Sequence, residues 1–262
     1  MKLIEARQLW KQYGDSVILE KLDFSVEAGE FCTLVGTSGC GKTTFLRMLL
    51  GEETPSRGEL LIDGKPLPAE PGPDRGVVFQ RYSVFPHMTV LDNVMLGPEL
   101  AAGGIFARVW GSRRRQIRDE AMALLHEVGL THVCGRYPAE LSGGMQQRLA
   151  IAQALIMKPR ILLLDEPFGA LDPGIRADMH ELVLRLWRDT GVTVFMVTHD
   201  LKEGFSLGSR MLVFDKVRRD PQAPNAYGAT ITYDLPLNRN DRILPESIAN
   251  DVAQTQQLLA GE

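Results

Sequence analysis

The first 35 residues of the chain show short apolar runs separated by turn residues, a pattern that predicts strands. The turns are centred on Gly14 and Gly29, and an apolar run at 31–35 follows the second of them. A glycine-rich loop comes next, and apolar residues then recur at helix spacing until Gly51, where a helix C-cap is expected. The N-terminal region is therefore predicted to be strand-rich and to end in a strand–loop–helix unit.

The rest of the chain alternates between strand and helix patterns. Further strands are predicted at 58–63, 76–79, 161–164, 192–197 and 211–214. The pattern is helical from about 91 to 158, with one helix closed by Gly129 and a second over 142–157. A further helix, around 175–187, is predicted between the strands at 161–164 and 192–197. The unbroken apolar runs at 161–164 and 192–197 are typical of strands that are buried on both faces of a parallel sheet. Together with the helices, they predict an α/β fold. After 215 the pattern weakens to an extended tail with a final helix near 252–259.

Composition narrows the classes of protein that fit. The 262 residues are enough for one large α/β domain. The net charge of −4 argues against a nucleic-acid binder, which usually has a basic excess. Three cysteines make no disulfide framework and fit a reducing compartment. The N-terminus shows no signal peptide and no apolar run is long enough to span a bilayer, so a membrane role is expected to come through a partner.

The glycine-rich loop matches the pattern G-x-x-x-x-G-K-[ST] in full. It consists of Gly36, Thr37, Ser38, Gly39, Cys40, Gly41, Lys42 and Thr43. Glycines let the backbone N–H groups turn toward phosphate oxygens, and the helix N-terminus adds positive potential. Lys42 is expected to reach the β- and γ-phosphates, and the Thr43 hydroxyl to bind Mg²⁺. A chance glycine turn is the alternative, but the flanking strand and helix favour a nucleoside triphosphate site.

Two acidic residues end the apolar strand at 161–164. Asp165 is expected at the carboxyl edge of the sheet, facing the phosphate loop and holding Mg²⁺ directly or through water. Glu166 is expected to act as the general base toward the attacking water. The alternative is a strand that runs into a polar turn, and the phosphate loop in the same chain favours the catalytic interpretation.

Residues 141–148, Leu-Ser-Gly-Gly-Met-Gln-Gln-Arg, lie just before this acidic strand and resemble the signature motif of ABC ATPases. The resemblance covers about 1–215. It implies that Tyr13 stacks on adenine, that Gln80 is the Q-loop glutamine and a Mg²⁺ ligand, that Asp172 belongs to the D-loop and that His199 is the switch histidine. It also places Thr44, Ser142, Gly143, Gly144 and Gln146 among the nucleotide-binding residues.

The resemblance implies a P-loop NTPase fold of the ABC-ATPase type, with ATP and Mg²⁺ as ligands. Its parts would be a RecA-like mixed sheet core, an N-terminal antiparallel β subdomain and an α-helical signature subdomain at about 88–158. The ATPase domain would end near 215, and 216–262 would form a C-terminal extension. Because Ser142 begins a helix, its N–H groups form a second anion site. In the family, this site completes the ATP site of a second copy in a head-to-tail dimer.

The approach to the signature, Arg136-Tyr137-Pro138-Ala139-Glu140, looks like that of bacterial importers. Separate transmembrane permease subunits and a periplasmic or lipoprotein solute-binding protein are then expected partners, at the cytoplasmic face of the plasma membrane. The segment 81–88 would receive a coupling helix from the permease, although plain packing of the helical subdomain is the alternative. The spacing and the signature look most similar to the nitrate/sulfonate/taurine importers, and the tail at 220–237 faintly to urea- or guanidine-linked versions.

Other interpretations stay open for the chain and for two of its segments. The rivals are a soluble ABC ATPase of DNA repair or ribosomes, a membrane-tethered regulator, and a scaffold with a dead site. The basic segment 103–118 fits a solvated helix face or contact with anionic lipid. Cys40 lies near Lys42 and a helix N-terminus, which favour thiolate. Thiol reagents are then expected to inhibit the ATPase and MgATP to protect it, with an inert thiol as the alternative.

Overall fold

The computed structural model describes residues 2–68, 70–80, 83–103, 110–218, 220–223 and 225–237. The chain forms two compact units, one of Met1–Gly72 with Thr190–Glu262 and the other of Pro73–Asp189. In the part of the chain that is described, no helix combines the length and the apolar character needed to cross a bilayer. The helix expected near 252–259 lies outside the described residues.

The described residues of the first unit form strands of two sheets and two α-helices. Its elements are β1 (Lys2–Tyr13), β2 (Ser16–Glu27), β3 (Phe31–Gly36), α1 (Lys42–Leu50), β4 (Arg57–Ile62) and β5 (Lys65–Pro66), and later in the chain β8 (Thr193–Val197), α6 (Leu201–Leu207), β9 (Arg210–Asp215) and β10 (Thr230–Pro236). One sheet is antiparallel, in the order β2-β1-β4-β5. In the other, β3 pairs in parallel with both β8 and β9, and β10 pairs antiparallel with β9.

The ring of Phe45 on α1 packs against three other aromatic rings in the core of this unit. Its ring lies 5.5 Å from the ring of Phe24 on β2, 6.3 Å from that of Phe195 on β8 and 6.0 Å from that of Phe214 on β9. The strand predicted at 31–35 is present as β3, and every residue of it is buried, as in a strand that is covered on both faces. The strand that leads into the glycine loop is therefore fixed from both sides.

The strand β10 was not predicted: the segment after 215 was expected to be an extended tail, although polar and apolar residues alternate over 230–235 as in a strand. After β9 the chain crosses to β2, where the Val17 N–H donates to the Asn225 carbonyl at 3.0 Å. Ala229 then exchanges backbone hydrogen bonds with Ile18 and Glu20, at 2.8 Å each. The segment expected to be a tail thus begins as an integral part of the first unit.

Within the described part of the second unit there are a pair of parallel strands and four α-helices. Its elements are β6 (Arg75–Val78), α2 (Val90–Gly103), α3 (Gly111–Glu127), α4 (Gly143–Leu155), β7 (Ile161–Asp165) and α5 (Pro173–Thr190). β6 pairs with β7 in parallel, and α2 packs against α3 and α4. Two short 3₁₀ turns, Thr131–Val133 and Pro138–Glu140, lie between α3 and α4. The helical pattern predicted for 91–158 is confirmed for the described residues of that range, with these turns as its interruption.

Candidate functional site

The glycine loop between β3 and α1 requires glycine at both of its ends. Gly36 has a φ of 150°, and a Cβ there would overlap the Phe214 carbonyl oxygen. Gly41 has a φ of 92°, and its Cβ would lie 2.7 Å from Leu19 Cδ2 and 2.9 Å from Ile18 Cγ2. Left-handed φ values and such close contacts are open only to glycine. The loop is thus a tight backbone turn that packs directly against β2.

Lys42 lies at the first position of α1 with its side chain folded back over this loop. It is buried, with 5% of its surface exposed, and its ammonium donates to the carbonyls of Gly36 and Thr37 at 2.8 Å each. Gly41, as the N-cap of α1, supplies no capping side chain. The start of this helix therefore combines a fixed cation with backbone amides, which suits a phosphate group.

The surroundings of Cys40 do not match the expectation of a reactive thiolate. Its Sγ lies 3.5 Å from Lys42 Nζ, but only 7% of the residue is exposed. Burial raises the pKa of the Cys40 thiol, and the opposing effect of Lys42 does not outweigh it. The thiol is therefore protonated at neutral pH, and the environment expected to favour thiolate does not do so. Cys32, Cys40 and Cys134 are all free thiols.

Tyr13 lies at the last position of β1 and points its hydroxyl toward α1. The hydroxyl donates to the Glu53 carboxylate and also interacts with the side chain of Thr44, two residues after Lys42. Almost half of the tyrosine, 47%, is exposed. The aromatic residue expected to stack on adenine therefore lies beside the helix of the phosphate loop. Glu53 itself carries no sequence signal, because its role arises from a tertiary contact.

His199 follows β8 and is exposed. β8 is the parallel neighbour of β3, with Val197 opposite Leu34, and the Thr198 N–H donates to the Leu34 carbonyl at 3.1 Å. The carboxyl ends of two adjacent parallel strands therefore carry His199 and the phosphate loop, the edge where ligands bind in such sheets. Thr198 also donates to the buried Glu203 at 2.5 Å, a contact that fixes the turn and that the sequence did not indicate.

In the second unit, the Q-loop glutamine and the proposed base lie together. Val78 of β6 is opposite Leu164 of β7, so Gln80 and Glu166 leave the same edge of the strand pair. Gln80 Nε2 donates to Glu166 Oε2 at 3.3 Å. Glu166 has a φ of 46°, a conformation that costs a non-glycine residue about 1–3 kcal/mol and that is common at functional sites. Asp165 is the last residue of β7.

The signature segment forms the start of α4. Ser142 is the N-cap, and its Oγ accepts from the Met145 N–H at 3.3 Å. Ser142 and Gly143 are exposed, whereas Gly144 is buried against Ile175. Gln146 Nε2 donates to the carbonyls of Pro138 and Leu141, so this side chain holds the turn before the helix. Asp172 is exposed at the start of α5, where its carbonyl accepts from the Arg176 N–H at 2.8 Å.

Two further expected segments are described only in part. Arg81 and Tyr82 of the expected coupling groove lie outside the described residues. Phe85 is 39% exposed, and the fully buried Asn93 holds the backbone of Phe85 with hydrogen bonds of 2.7 and 3.1 Å. Nothing in sequence pattern alone marked Asn93.

In the basic segment, residues 104–109, including Arg108, lie outside the described residues as well. Arg113, Arg114 and Arg115 are exposed on α3, and the Arg114 guanidinium donates to Glu99 at 2.9 Å.

The candidate residues thus form two groups. The first unit places Gly36–Thr44 and His199 at the carboxyl ends of β3 and β8, and Tyr13 next to Thr44 of α1. The second unit brings Gln80 to Glu166 and presents Ser142 and Gly143 at an exposed helix start.

Comparison with known proteins gives one family. The family model described as ABC transporter matches residues 19–169. Spermidine/putrescine import ATP-binding proteins PotA are similar to this chain: that of Nitrosomonas europaea is 39% identical over 91% of this chain and 63% of its own length. That of Chromobacterium violaceum is 44% identical over 81% of this chain and 57% of its own. The chain therefore spans about three fifths of the length of these curated relatives.

Solved structures show the same fold. An ATP-binding cassette of an ABC transporter in its ADP conformation has a TM-score of 0.78 at 22% identity, covering 97% of this chain and 98% of the other. A dimeric ATP-binding cassette in a post-hydrolysis state, bound to ADP and Pi, has a TM-score of 0.69 at 28% identity. That match covers 90% of this chain and 99% of the other. The predicted fold, with its mixed sheet and N-terminal antiparallel sheet, is confirmed.

Proposed function

Because this chain belongs to the ABC transporter ATP-binding family, we propose that it hydrolyses ATP to energise an importer whose membrane-spanning subunits are separate chains. The observation that carries the proposal is the loop at Gly36–Thr44. There, a buried lysine bridges two backbone carbonyls at the start of a helix whose N-cap is a left-handed glycine. This arrangement binds phosphate through the backbone and one cation, which is what a nucleoside triphosphate requires.

The first unit supplies nucleotide binding. When ATP binds, the Lys42 ammonium donates to the phosphate oxygens instead of the loop carbonyls. The backbone amides of the loop and of α1 surround these phosphates. The exposed ring of Tyr13 stacks on the adenine. His199 donates to the γ-phosphate and so stabilises the charge that develops as its bond breaks.

The second unit supplies hydrolysis. Glu166 accepts the proton of the attacking water, and Gln80 holds that carboxylate through the hydrogen bond described above. The Thr43 hydroxyl, the Asp165 carboxylate and the Gln80 amide oxygen are hard oxygen donors of the kind that Mg²⁺ prefers, so these residues would hold the ion. The bound ion would neutralise charge on the phosphate oxygens.

A second copy of the chain completes each site in this proposal. Ser142 and Gly143 expose the start of α4, and a helix start is an anion site that needs an incoming ligand. In the head-to-tail dimer, they contact the ATP held by the phosphate loop of the other copy, with Asp172 near the interface. The dimeric cassette among the similar structures supports this arrangement. Permease subunits and a solute-binding protein are the further partners, at the cytoplasmic face of the membrane.

The solute is proposed from the relatives. The expected similarity to nitrate, sulfonate and taurine importers, with a urea- or guanidine-type compound as another choice, is not supported by the relatives reported above. Their names refer to spermidine and putrescine import. We therefore favour a small polyamine, carried by the permease rather than touched by this subunit.

Replacement of the proposed base tests the function directly. Glu166→Gln keeps the size and the hydrogen bond but removes the proton acceptor, so hydrolysis should fall about a hundredfold or more. ATP binding should persist, and MgATP should shift the variant to a stable dimer in size-exclusion chromatography. Glu181→Gln, on the exposed face of α5, is the matched control and should behave as wild type. Wild-type turnover by Glu166→Gln would contradict the proposed role.

A further inference from the structure

Three charged side chains, those of Glu53, Lys11 and Arg47, cluster beside Tyr13. Glu53, in the turn after α1, accepts from that hydroxyl and forms an ion pair with Lys11 Nζ at 3.0 Å. Lys11 also donates to the Thr54 carbonyl at 2.9 Å and lies over the tyrosine ring, 4.9 Å from its centroid. Arg47 of α1 approaches Glu53 at 3.8 Å. One carboxylate therefore joins β1, the helix of the phosphate loop and the turn that follows it.

We propose that Glu53 is a positioning residue that fixes the Tyr13 ring as the platform for the nucleotide base, with Lys11 backing one face of the ring. This rests on the proposed function, in which the loop at Gly36–Thr44 holds the phosphates of ATP. Tyr13 is the last residue of β1 before a tight turn, so its ring would otherwise rotate in solvent. The bond from its hydroxyl to Glu53 restricts that rotation.

The position of the ring fits a base rather than another ligand. The hydroxyl of Tyr13 reaches the side chain of Thr44, which follows Lys42 and Thr43 at the start of α1. The ring therefore lies within the length of one nucleotide from the phosphate loop. Since Lys11 occupies one face, a base stacks on the opposite face, which the 47% exposure of the residue leaves within reach.

The electrostatics of the cluster keep the hydrogen bond in one direction. Burial and the nearby Glu53 carboxylate raise the pKa of Tyr13, so the phenol stays protonated and donates. Burial acts to raise the pKa of Glu53, but the hydrogen bonds from Tyr13 and Lys11 outweigh it and lower that pKa. Lys11 is itself buried, which removes competing water from the ion pair. The acceptor is therefore a carboxylate at neutral pH.

The test compares a ligand with a base and one without. Glu53→Ala and Tyr13→Phe each remove the hydrogen bond but keep the ring. Equilibrium binding of ATP and of inorganic tripolyphosphate is measured on the full-length chain. A base–aromatic stack is worth about 1–3 kcal/mol, and partial loss of it should weaken ATP binding about fivefold to tenfold. Tripolyphosphate binding should change less than about twofold, because the phosphate loop is intact.

Kinetics and a double variant sharpen the result. The KM for ATP should rise in both variants while kcat stays nearly constant, because the base does not take part in the chemistry. The double variant Tyr13→Phe/Glu53→Ala should be no weaker than either single variant, since both remove the same bond. Glu52→Ala is the matched control: it alters the neighbouring, exposed glutamate of the same turn and should bind ATP as wild type does.

Each contrary result has a distinct meaning. Unchanged ATP affinity in Glu53→Ala, or an equal loss for ATP and tripolyphosphate, would overturn the positioning role. Additive losses in the double variant would also overturn it, because Glu53 would then act apart from Tyr13. A wild-type chain that does not bind ATP would overturn the proposed function itself, and with it this inference.

Discussion

The helices α1 and α4 both begin at a glycine-containing motif, but the two helix starts differ in construction. α1 begins after Gly41, in a left-handed conformation and packed against Leu19, with Lys42 buried across the loop. α4 begins after Ser142, whose side chain caps the helix while it and Gly143 face solvent. Both helix starts attract anions through their amides and dipole. Only the first encloses its anion site within its own unit.

In the proposed function, the start of α1 is a phosphate site built within one unit, whereas the start of α4 needs a second copy of the chain to bring phosphate to it. The start of α1 has its cation and backbone fixed before any ligand arrives, so binding costs little rearrangement. The start of α4 already has one amide satisfied by Ser142 and carries no buried cation of its own among the described residues near it. It can contribute to a phosphate site only when another surface brings the phosphate to it.

Removal of the cation should produce the largest contrast between the two helix starts. Lys42→Ala should weaken ATP binding and lower hydrolysis about a hundredfold to a thousandfold, the range seen when one charge-stabilising donor is lost. Binding titrations and steady-state hydrolysis measure both. Lys202→Ala, on the exposed start of α6, is the control and should retain wild-type activity. Normal hydrolysis by Lys42→Ala would remove the phosphate loop from the proposed mechanism.

Glycine-to-alanine substitutions should lower the free energy of unfolding more at the start of α1 than at the start of α4. Gly41→Ala meets both a φ of 92° and contacts of 2.7–2.9 Å with Leu19 and Ile18, so it should lower the free energy of unfolding by about 2–4 kcal/mol. Gly39→Ala, with a φ of 79° and no atom within 4 Å, isolates the backbone strain at about 1–2 kcal/mol. Gly144→Ala should cost about 1–2 kcal/mol, because its Cβ would lie 2.6 Å from Ile175 Cγ2 but no left-handed φ adds backbone strain, and alanine favours the helix.

Urea unfolding of these three variants and the wild type measures the order. An equal loss at Gly41 and Gly144 would show that the two helix starts are equally constrained. It would thereby remove the distinction between a preformed site and an exposed helix start.

The smallest effect on the isolated chain is expected at the cap of α4. Ser142→Ala loses the bond to the Met145 N–H and should lower the free energy of unfolding by about 1 kcal/mol. ATP binding to the monomer should stay the same, while dimerisation of the Glu166→Gln background by MgATP should weaken. Chromatography of the double variant against Glu166→Gln alone reveals this. A loss of ATP affinity in the monomer would place Ser142 in the nucleotide site of its own chain.

Much of the fold and of the candidate site could be predicted because its signals are local. The buried run of β3, the glycine loop and the periodicity of α1 adjoin in sequence, so their order alone predicted a phosphate site at a strand end. The tight turn at Gly36 and Gly41 was predictable, because glycine adopts backbone conformations that other residues resist. The acidic end of β7 was equally visible.

Only the tertiary structure decided the contacts made across the sequence. Glu53 reaches Tyr13 over 40 positions, and Asn93 organises the loop at Phe85 through buried hydrogen bonds. β10 pairs with the edge of β9, and the alternation of polar and apolar residues in its own sequence does not say which strand it joins. The same holds for Cys40: the charge of Lys42 is visible in the sequence, but the burial that opposes it is not. Desolvation and pairing depend on which distant residues surround a group, and no local pattern carries that information.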